Sequence, residues 1–449
     1  MGRLFGTDGV RGIANTELTC ELAFDIGRAA AAVLTAGGKE HPTVLVGKDT
    51  RISSDMLESA LNAGLCSVGV NVSCLGVIPT PAVAYLVGKY GADAGIMISA
   101  SHNPCEFNGI KIFNGDGYKL PDALEEQIET LILDKRVLFP TPTGGQVGRV
   151  YACATAVRDY VDHIKAAVGA PLAGMRVALD CANGSASRTA QALFTELGAE
   201  CRFLSNQPNG ININDNCGST HLDALRHFVV DQKMDAGFAF DGDADRCLAV
   251  DETGAVVDGD FIMAICGAEL KSRGTLAKDT IVGTILTNMG LLRFCEEHSL
   301  RFEATKVGDR YILEQMLMED YNFGGEQSGH IIFLDHATTG DGQLTAAFLL
   351  SVLQRRGAKL SSLTTLMRRF PQVMVNVEVT AEGKLLFYTD AEIRRAIQQA
   401  EDSLGSRGRI LVRASGTEPL IRVMTEGENQ KEIEDTAQQV ADIIRERLA

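Results

Sequence analysis

Two stretches, DAGIMISAS at 93–101 and DAGFAFDGD at 235–243, share an acidic start, an apolar run and a polar end. Short apolar runs between polar or glycine residues are typical of buried strands, so each stretch predicts a strand that leads into a polar loop. A third stretch, YNF at 321–323 followed by GGEQSGH at 324–330, is similar but weaker. The repeat predicts strand-end loops that form three walls of one site. Chance recurrence of DAG in a chain rich in alanine and glycine is the alternative.

The surrounding sequence predicts three βαβ units. The predicted helices cover 54–68, 187–197 and 289–299. The strands before and after these helices cover 44–47, 177–179, 281–283, 70–72, 201–203 and 302–304. Strands joined through helices imply largely parallel sheets with helices on their faces.

The last part of the chain has a different order of elements. It predicts a strand at 373–379, a helix near 389–403, strands at 409–413 and 420–424, and a terminal helix at 430–448. We therefore predict an α/β fold class: three similar α/β domains with mixed, largely parallel sheets and a smaller C-terminal α+β domain. The predicted domains cover 1–150, 151–252, 253–368 and 369–449.

Composition narrows the functional classes. The chain has 449 residues, too many for one core, and its net charge of −16 argues against binding of nucleic acid. No run approaches the ~20 apolar residues of a membrane span, and the N-terminus lacks the apolar region of a signal peptide. The eleven scattered cysteines contain no CxxC pair and indicate reduced thiols. We therefore predict a cytoplasmic protein without a membrane or nucleic-acid partner.

The most specific local signal is DGDADR at 241–246, which follows an apolar strand. Asp241, Asp243 and Asp245 would repel one another unless a divalent cation neutralised them, and Mg²⁺ prefers such oxygen ligands. A calcium loop of the EF-hand type is an alternative, but Arg246 stands where its glycine should be. A solvated acidic turn that binds no metal is a second alternative.

Ser101 and His102 lie in the loop SASHNP that follows the first strand of the repeat. No G-x-S-x-G elbow is present, so acyl transfer is not indicated, whereas a serine hydroxyl can carry a phosphoryl group. A turn-capping serine is the simpler alternative. Lys111, in NGIK at 108–111, supplies a nearby cation for phosphate contact or proton transfer, unless it lies in solvent.

Further signals lie in loops that contain glycine. In RASGTEP at 413–419, followed by Arg422, two arginines and two hydroxyls predict an anion site, unless this is a surface turn. The glycine-rich opening GTDGVRG at 6–12 contains Arg11, which could contact a phosphate or lie in a flexible surface loop. The segment KVGDR at 306–310 could place charges at the third strand end or form a salt-bridged turn. His330 suits proton transfer, but on its own a histidine is more often a structural residue held by a hydrogen bond.

Taken together, these segments resemble the α-D-phosphohexomutase superfamily along essentially the whole chain. The segments that carry the resemblance are FGTDGVRG (5–12), ISASHNP (98–104), NGIK (108–111), FDGDADR (240–246), VGDR (307–310), GGEQSGHI (324–331) and RASGTEPLIRVM (413–424). The resemblance implies four domains around a central cleft.

The resemblance also implies roles for individual residues. Ser101 would be a phosphoserine, and Mg²⁺ would be bound by Ser101 and the three aspartates. Lys111 and His330 would be candidates for proton transfer, and His102 would be a further catalytic candidate. The residues implied to bind the substrate are Arg11, Arg246, Glu326, Gln327, Ser328, Arg413, Ser415, Gly416, Thr417 and Arg422.

Gln327 favours the amino-sugar branch of the superfamily, although a single residue fixes specificity poorly. The implied reaction interconverts glucosamine 6-phosphate and glucosamine 1-phosphate through a phosphoserine and a 1,6-bisphosphate. The same chemistry on glucose or mannose phosphates, a phosphohydrolase with an aspartyl nucleophile, and a calcium-binding module are the alternatives. A homodimer is possible by resemblance.

Overall fold

The computed structural model describes residues 3–6, 8–35, 39, 41–134, 139–415 and 419–448. The chain forms two compact units. The first contains Met1–Ile285 and Leu300–Leu366, and the second contains Leu286–Ser299 and Met367–Ala449. Within the described ranges, no helix combines the length and the apolar character that a membrane span requires.

The first sheet of the first unit is mixed. Its strands are β1 (Phe5–Gly6), β2 (Gly9–Ile13), β3 (Thr43–Lys48), β4 (Asn71–Val77), β5 (Ala94–Ile98), β6 (Phe107–Asn114) and β7 (Val150–Ala152), in the order β1-β2-β6-β5-β3-β4-β7. The helices that accompany it are α1 (Cys20–Leu34), α2 (Ile52–Ser67), α3 (Thr80–Tyr90) and α4 (Asp122–Leu133). Strand β3 pairs in parallel with β4 and β5, whereas β6 is antiparallel to β5. Every residue of β5 is buried, as its uninterrupted apolar run predicts.

The second sheet repeats this arrangement. Its strands are β8 (Arg176–Asp180), β9 (Glu200–Leu204), β10 (Ala236–Phe240), β11 (Cys247–Asp251) and β12 (Val256–Val257), in the order β12-β11-β10-β8-β9. Its helices are α5 (Ala156–Val168), α6 (Ala190–Glu196) and α7 (Asp223–Asp231), with a 3₁₀ turn at Ser185–Arg188 before α6. Strand β10 is parallel to β8 and antiparallel to β11.

The third sheet has the same plan in shorter strands. They are β13 (Thr280–Thr284), β14 (Arg301–Thr305), β15 (Phe323–Gly325) and β16 (Ile331–Phe333), in the order β14-β13-β15-β16. The helices of this segment are α8 (Gly259–Ser272), α9 (Met289–Glu297), α10 (Asp309–Met318), α11 (Gly342–Arg356) and α12 (Leu360–Leu363). Strand β15 is parallel to β13 and antiparallel to β16.

The threefold repeat predicted from the sequence is therefore confirmed, and it extends further than the sequence indicated. In each copy a buried strand runs into a polar loop, and the chain then returns as an antiparallel neighbour: β5 to β6, β10 to β11, and β15 to β16. The loops predicted to carry chemistry are the connections of these three hairpins.

The second unit contains an antiparallel sheet, β17 (Gln372–Glu378), β18 (Gly408–Ala414) and β19 (Leu420–Gly427), with β19 in the centre. Its helices are α13 (Ala381–Leu386), α14 (Ala391–Leu404) and α15 (Gln430–Leu448). Helix α9, predicted as part of the third βαβ unit, is counted with this unit, and the amide of Met289 donates to Glu426 Oε1 at 3.0 Å. An α+β arrangement was predicted for this region and is found.

Candidate active site

Ser101 lies just beyond the carboxyl end of β5, in a left-handed backbone conformation (φ 52°). Its side chain is buried, and its Oγ donates a hydrogen bond of 2.6 Å to Asp241 Oδ2. Asp241 begins the loop after β10, so the ends of two equivalent hairpins meet at this hydrogen bond. The structure thus brings the serine of the first loop into direct contact with the acidic second loop.

Two side chains hold the Ser101 backbone in this conformation. Its carbonyl oxygen accepts hydrogen bonds from Arg51 Nη2 at 3.2 Å and from Asn214 Nδ2 at 2.9 Å. Arg51 is buried and paired with Asp49, which also accepts a 2.6 Å hydrogen bond from Ser99 Oγ. Because a left-handed conformation is costly for a residue other than glycine, these contacts are what stabilise it.

Asp241, Asp243 and Asp245 are buried together, and each offers a carboxylate oxygen within 4.8 Å of the other two. Burial and then the charges of Asp245 and Asp243 raise the pKa of Asp241 well above its ordinary value. The Oδ1 atoms of Asp243 and Asp245 are buried without a hydrogen-bond partner. Clustered, unsatisfied carboxylate oxygens are the donor set of a hard divalent cation, so the three residues fit a metal site.

Lys111 lies on β6 with its ammonium group buried against the triplet. Its Nζ is 2.8 Å from Asp243 Oδ2 and 3.4 Å from Asp245 Oδ2. Burial alone would lower the pKa of Lys111, but the facing carboxylates raise it well above its ordinary value. The side chain therefore carries a proton and a positive charge beside the acidic loop.

His330 reaches the triplet from the loop between β15 and β16. Its Nδ1 is 3.6 Å from Asp245 Oδ2, and its Nε2 lies 3.4 Å from Asp309 Oδ2 and 3.0 Å from the amide of Gly340. Burial alone would lower the pKa of His330, but the two carboxylates raise it. Its Nε2 can accept from the Gly340 amide when the ring is neutral and donate toward Asp309 when the ring is protonated, so the surroundings suit both states of a proton carrier.

His102, Arg246 and Arg11 form a second group close to Ser101. The Nδ1 atom of His102 lies 3.5 Å from Ser101 Oγ and 3.1 Å from Arg246 Nη1. Burial, followed by the charges of Arg246 and Arg11, lowers the pKa of His102 to about 4, so the ring is neutral near pH 7. Arg11 is paired with Asp8, and the Nε atoms of both arginines are buried without a hydrogen-bond partner. These guanidinium groups are suited to an anion.

The loop predicted to read the sugar joins β15 to β16. The amide of Gly308 donates to Glu326 Oε1 at 3.2 Å, while Ser328 Oγ lies 3.5 Å from Glu326 Oε2. Burial is the main cause that raises the pKa of Glu326. The Nε2 atom of Gln327 is buried without a hydrogen-bond partner. The loop thus offers a carboxylate, a hydroxyl and an unsatisfied amide donor, which are groups that can bind sugar hydroxyls or an amine.

The predicted anion site of the C-terminal domain lies in the second unit. Arg413 on β18 and Arg422 on β19 are directly opposite each other in the ladder. Burial and then the charge of Arg422 lower the pKa of Arg413. The amide of Ser415 donates to the carbonyl of Leu420 at 2.8 Å. Gly416 and Thr417 lie outside the described residues.

Sequence reasoning missed several residues of this site. Thr80 Oγ1 donates to Asp243 Oδ2 at 2.5 Å, and Asn214, Arg51 and Asp49 hold the Ser101 loop. None belongs to a glycine-framed or repeated segment. A weak signal existed for Asp49 alone, since it directly follows the end of β3, whereas Thr80 is the first residue of α3.

Comparison with known proteins gives a consistent match along the chain. Models of the phosphoglucomutase/phosphomannomutase family match it in four parts: α/β/α domain I at residues 2–137, domain II at 158–254, domain III at 258–370 and the C-terminal domain at 374–443.

Curated relatives match over the full length. A phosphoglucosamine mutase of Clostridium novyi is 54% identical over 447 residues, covering 100% of this chain and 99% of the relative. A phosphoglucosamine mutase of Acetivibrio thermocellus is 54% identical over 448 residues and covers both chains completely.

Solved structures share the fold. A phosphoglucomutase/phosphomannomutase family protein of Burkholderia thailandensis has a TM-score of 0.82 at 25% identity, covering 100% of this chain and 99% of that one. The N-acetylphosphoglucosamine mutase of Aspergillus fumigatus, solved with GlcNAc-6P and magnesium, has a TM-score of 0.69 at 17% identity, with 100% and 96% coverage.

Proposed function

Since this chain belongs to the phosphoglucomutase/phosphomannomutase family, we propose that it interconverts glucosamine 6-phosphate and glucosamine 1-phosphate. The reaction makes it an isomerase that acts by phosphoryl transfer, and its product is a precursor for amino-sugar nucleotides and cell-wall synthesis. The curated relatives that match the full chain at 54% identity carry the name of this activity. The observation that carries the mechanism is the 2.6 Å hydrogen bond from Ser101 Oγ to Asp241 Oδ2.

Ser101 is the proposed carrier of the phosphoryl group. In the forward half-reaction, the bond between phosphorus and Ser101 Oγ breaks and a bond between phosphorus and a sugar hydroxyl oxygen forms. The proton of that hydroxyl passes, through Lys111 or His330, to the departing Ser101 oxygen. The sugar is then a 1,6-bisphosphate, which must turn end for end so that its other phosphoryl group returns to Ser101.

Asp241, Asp243 and Asp245, together with the phosphoryl group on Ser101, are the proposed ligands of Mg²⁺. Their oxygen donor set and the unsatisfied Oδ1 atoms of Asp243 and Asp245 support this assignment. When bound, Mg²⁺ supplies positive charge that neutralises the phosphoryl oxygens in the transition state.

The remaining residues have proposed roles in binding. Arg246 and Arg11, with His102 as a neutral neighbour, bind the phosphoryl group close to Ser101, because their guanidinium groups cluster there. Glu326, Gln327 and Ser328 bind the sugar. Arg413, Arg422 and Ser415, with Gly416 and Thr417, bind a phosphate group of the substrate.

The amino-sugar preference is proposed on two grounds. Curated relatives that match the full chain are named for it, and the Gln327 amide is a polar group able to contact a 2-amino substituent. Specificity that depends on hydrogen bonding can be large, because a mismatched substrate leaves buried polar groups unpaired.

The assay compares the turnover of three sugar phosphates by the Mg²⁺-loaded chain. We expect glucosamine 6-phosphate to be converted at least ~10-fold more efficiently, as kcat/KM, than glucose 6-phosphate or mannose 6-phosphate. We also expect Ser101→Ala to abolish turnover, whereas Ser59→Ala, at an exposed helix serine, should retain it. Preferential conversion of a glucose or mannose phosphate would assign the chain to another branch of the family, and release of inorganic phosphate would indicate a hydrolase.

The chain is proposed to divide into domains at 1–150, 151–252, 253–368 and 369–449. The reaction is proposed to take place in the cytoplasm, consistent with the eleven cysteines that are free in the structure. A homodimer and the absence of nucleic-acid and membrane partners stay predictions.

A further inference from the structure

Six buried or half-buried side chains of alternating charge form a closed ring of ion pairs that includes three residues of the candidate site. Three are carboxylates and three are basic groups. In order around the ring they are Asp245, Lys111, Asp8, Lys119, Asp309 and His330. Asp8, Lys119 and Asp309 have no role in the mechanism derived above.

The first arm of the ring runs from Lys111 to Lys119 through Asp8. Asp8 lies between β1 and β2, and its Oδ2 is 2.9 Å from Lys111 Nζ. Its other oxygen, Oδ1, accepts from Lys119 Nζ at 2.6 Å. Burial alone would raise the pKa of Asp8, but Lys111 and then Lys119 hold it well below its ordinary value, so the carboxylate is charged.

The second arm runs from Lys119 to His330 through Asp309. Lys119 Nζ donates to Asp309 Oδ2, and the same oxygen lies 3.4 Å from His330 Nε2. Asp309 begins helix α10, so its position is fixed by the start of a regular element. The ring closes at Asp245, whose Oδ2 faces both His330 and Lys111.

The ring connects parts of the chain that are far apart in sequence. Lys119 and Asp8 are 111 positions apart, and Lys119 and Asp309 are 190 positions apart. The side chains of Lys111 and His330 are only 2% exposed, whereas those of Lys119 and Asp309 are 13% and 18% exposed. Asp8, Lys119 and Asp309 thus form the outer arm of the ring, which supports Lys111 and His330 from the edge of the site.

Resting on the proposed function, we propose that Asp309 and Lys119 are positioning residues that fix His330 and, through Asp8, Lys111 against the same oxygen of Asp245. Lys111 and His330 are the two proton-transfer candidates. His330 lies between Asp245 and Asp309. Lys111 lies between two carboxylates of the metal triplet on one side and Asp8 on the other. A group held from two sides keeps its distance to the reacting oxygen, which is what an oriented proton transfer requires.

This arrangement predicts a specific effect on the kinetic constants. Neutralising Asp309 removes one of the two carboxylates that face His330 and leaves Lys119 with Asp8 alone. Neither Asp309 nor Lys119 is among the groups proposed to bind sugar or phosphate. Their loss should therefore reduce kcat more than it changes KM.

The test is a double-mutant cycle in the full-length, Mg²⁺-loaded chain, with Asp309→Asn, Lys119→Met and the double variant. We expect each single variant to lower kcat by about 10- to 100-fold, as loss of an orienting partner does, with little change in KM for glucosamine 6-phosphate. The double variant should lose little more than either single one, because both changes break the same arm.

Asp159→Asn is the matched control, because Asp159 also pairs with a lysine, Lys89, at 2.8 Å in a half-buried position away from the site. It should leave kcat unchanged. Thermal unfolding of each variant separates a positioning role from a structural one: a fall in kcat that follows the fall in melting temperature, or additive losses in the double variant, would overturn the inference.

A second measurement does not depend on turnover. The imidazole ¹⁵N signals of His330, assigned by their loss in His330→Gln, should move in Asp309→Asn and Lys119→Met but not in Asp159→Asn. Unchanged signals would refute the positioning role even in an active enzyme. If the signals move as expected in the two variants but the wild-type chain converts no hexose phosphate, the proposed function alone is refuted.

Discussion

Gly242 shows how one residue lets two loops meet. It lies between Asp241 and Asp243, and a Cβ at this position would be 2.6 Å from the carbonyl oxygen of Ser101 and 2.9 Å from Asn214 Nδ2. Both of those atoms belong to the hydrogen bond that holds the Ser101 backbone. Only glycine therefore allows the acidic loop and the serine loop to approach this closely.

Gly242→Ala should displace the Ser101 carbonyl and so misplace its Oγ. We expect kcat to fall by about 100-fold, the effect of a misplacement near 1 Å, while the chain remains folded. Steady-state kinetics and circular dichroism measure the two effects. Gly88→Ala is the control, since a Cβ there meets nothing within 4 Å inside helix α3, and it should keep full activity and gain about 0.5–1 kcal/mol in stability. Full activity in Gly242→Ala would mean that the loop contact is not needed.

At the scale of elements, strands β18 and β19 carry an arrangement that is unfavourable for folding. Arg413 and Arg422 face each other across the ladder, and like charges directly opposite destabilise a sheet. A bound phosphate would relieve this repulsion, so the pair is better explained by binding than by stability.

Arg422→Ala should raise KM for glucosamine 6-phosphate by about 10-fold or more, because a charge-assisted contact to phosphate is lost. Unfolding in urea should show that the variant is folded in the absence of denaturant, so that the rise in KM reports a loss of phosphate binding. Arg394→Ala, at an exposed position on α14, is the control and should change neither KM nor the folding of the chain. An unchanged KM in Arg422→Ala would exclude the pair from substrate binding.

Elements with a regular pattern could be predicted from the sequence, and others could not. The terminal helix was predicted at 430–448 and found there, because its apolar residues recur on one face. Helix α11 was not predicted, since it is buried along most of its length and so lacks an alternation of polar and apolar faces. Helix α9 was predicted within the third βαβ unit, but its contacts assign it to the second compact unit. No local sequence pattern can reveal such an assignment.

At the scale of the whole molecule, the site combines residues that are remote in sequence. Ser101 and Asp241 are 140 positions apart, and Asn214 reaches Ser101 across 113 positions. The motifs themselves could be recognised because glycine, serine and aspartate repeat at strand ends. Arg51 could not be assigned a role, because its contacts to the Ser101 loop arise only when folding brings buried partners near it.

The most direct test of the phosphoryl relay follows a label in a single turnover. The chain is isolated with ³²P on Ser101, mixed with unlabelled glucosamine 6-phosphate and Mg²⁺, and quenched within milliseconds. We predict that the label leaves Ser101 and appears first in a sugar 1,6-bisphosphate. Label that appears in inorganic phosphate, or that stays on the protein while the sugar is converted, would contradict the relay.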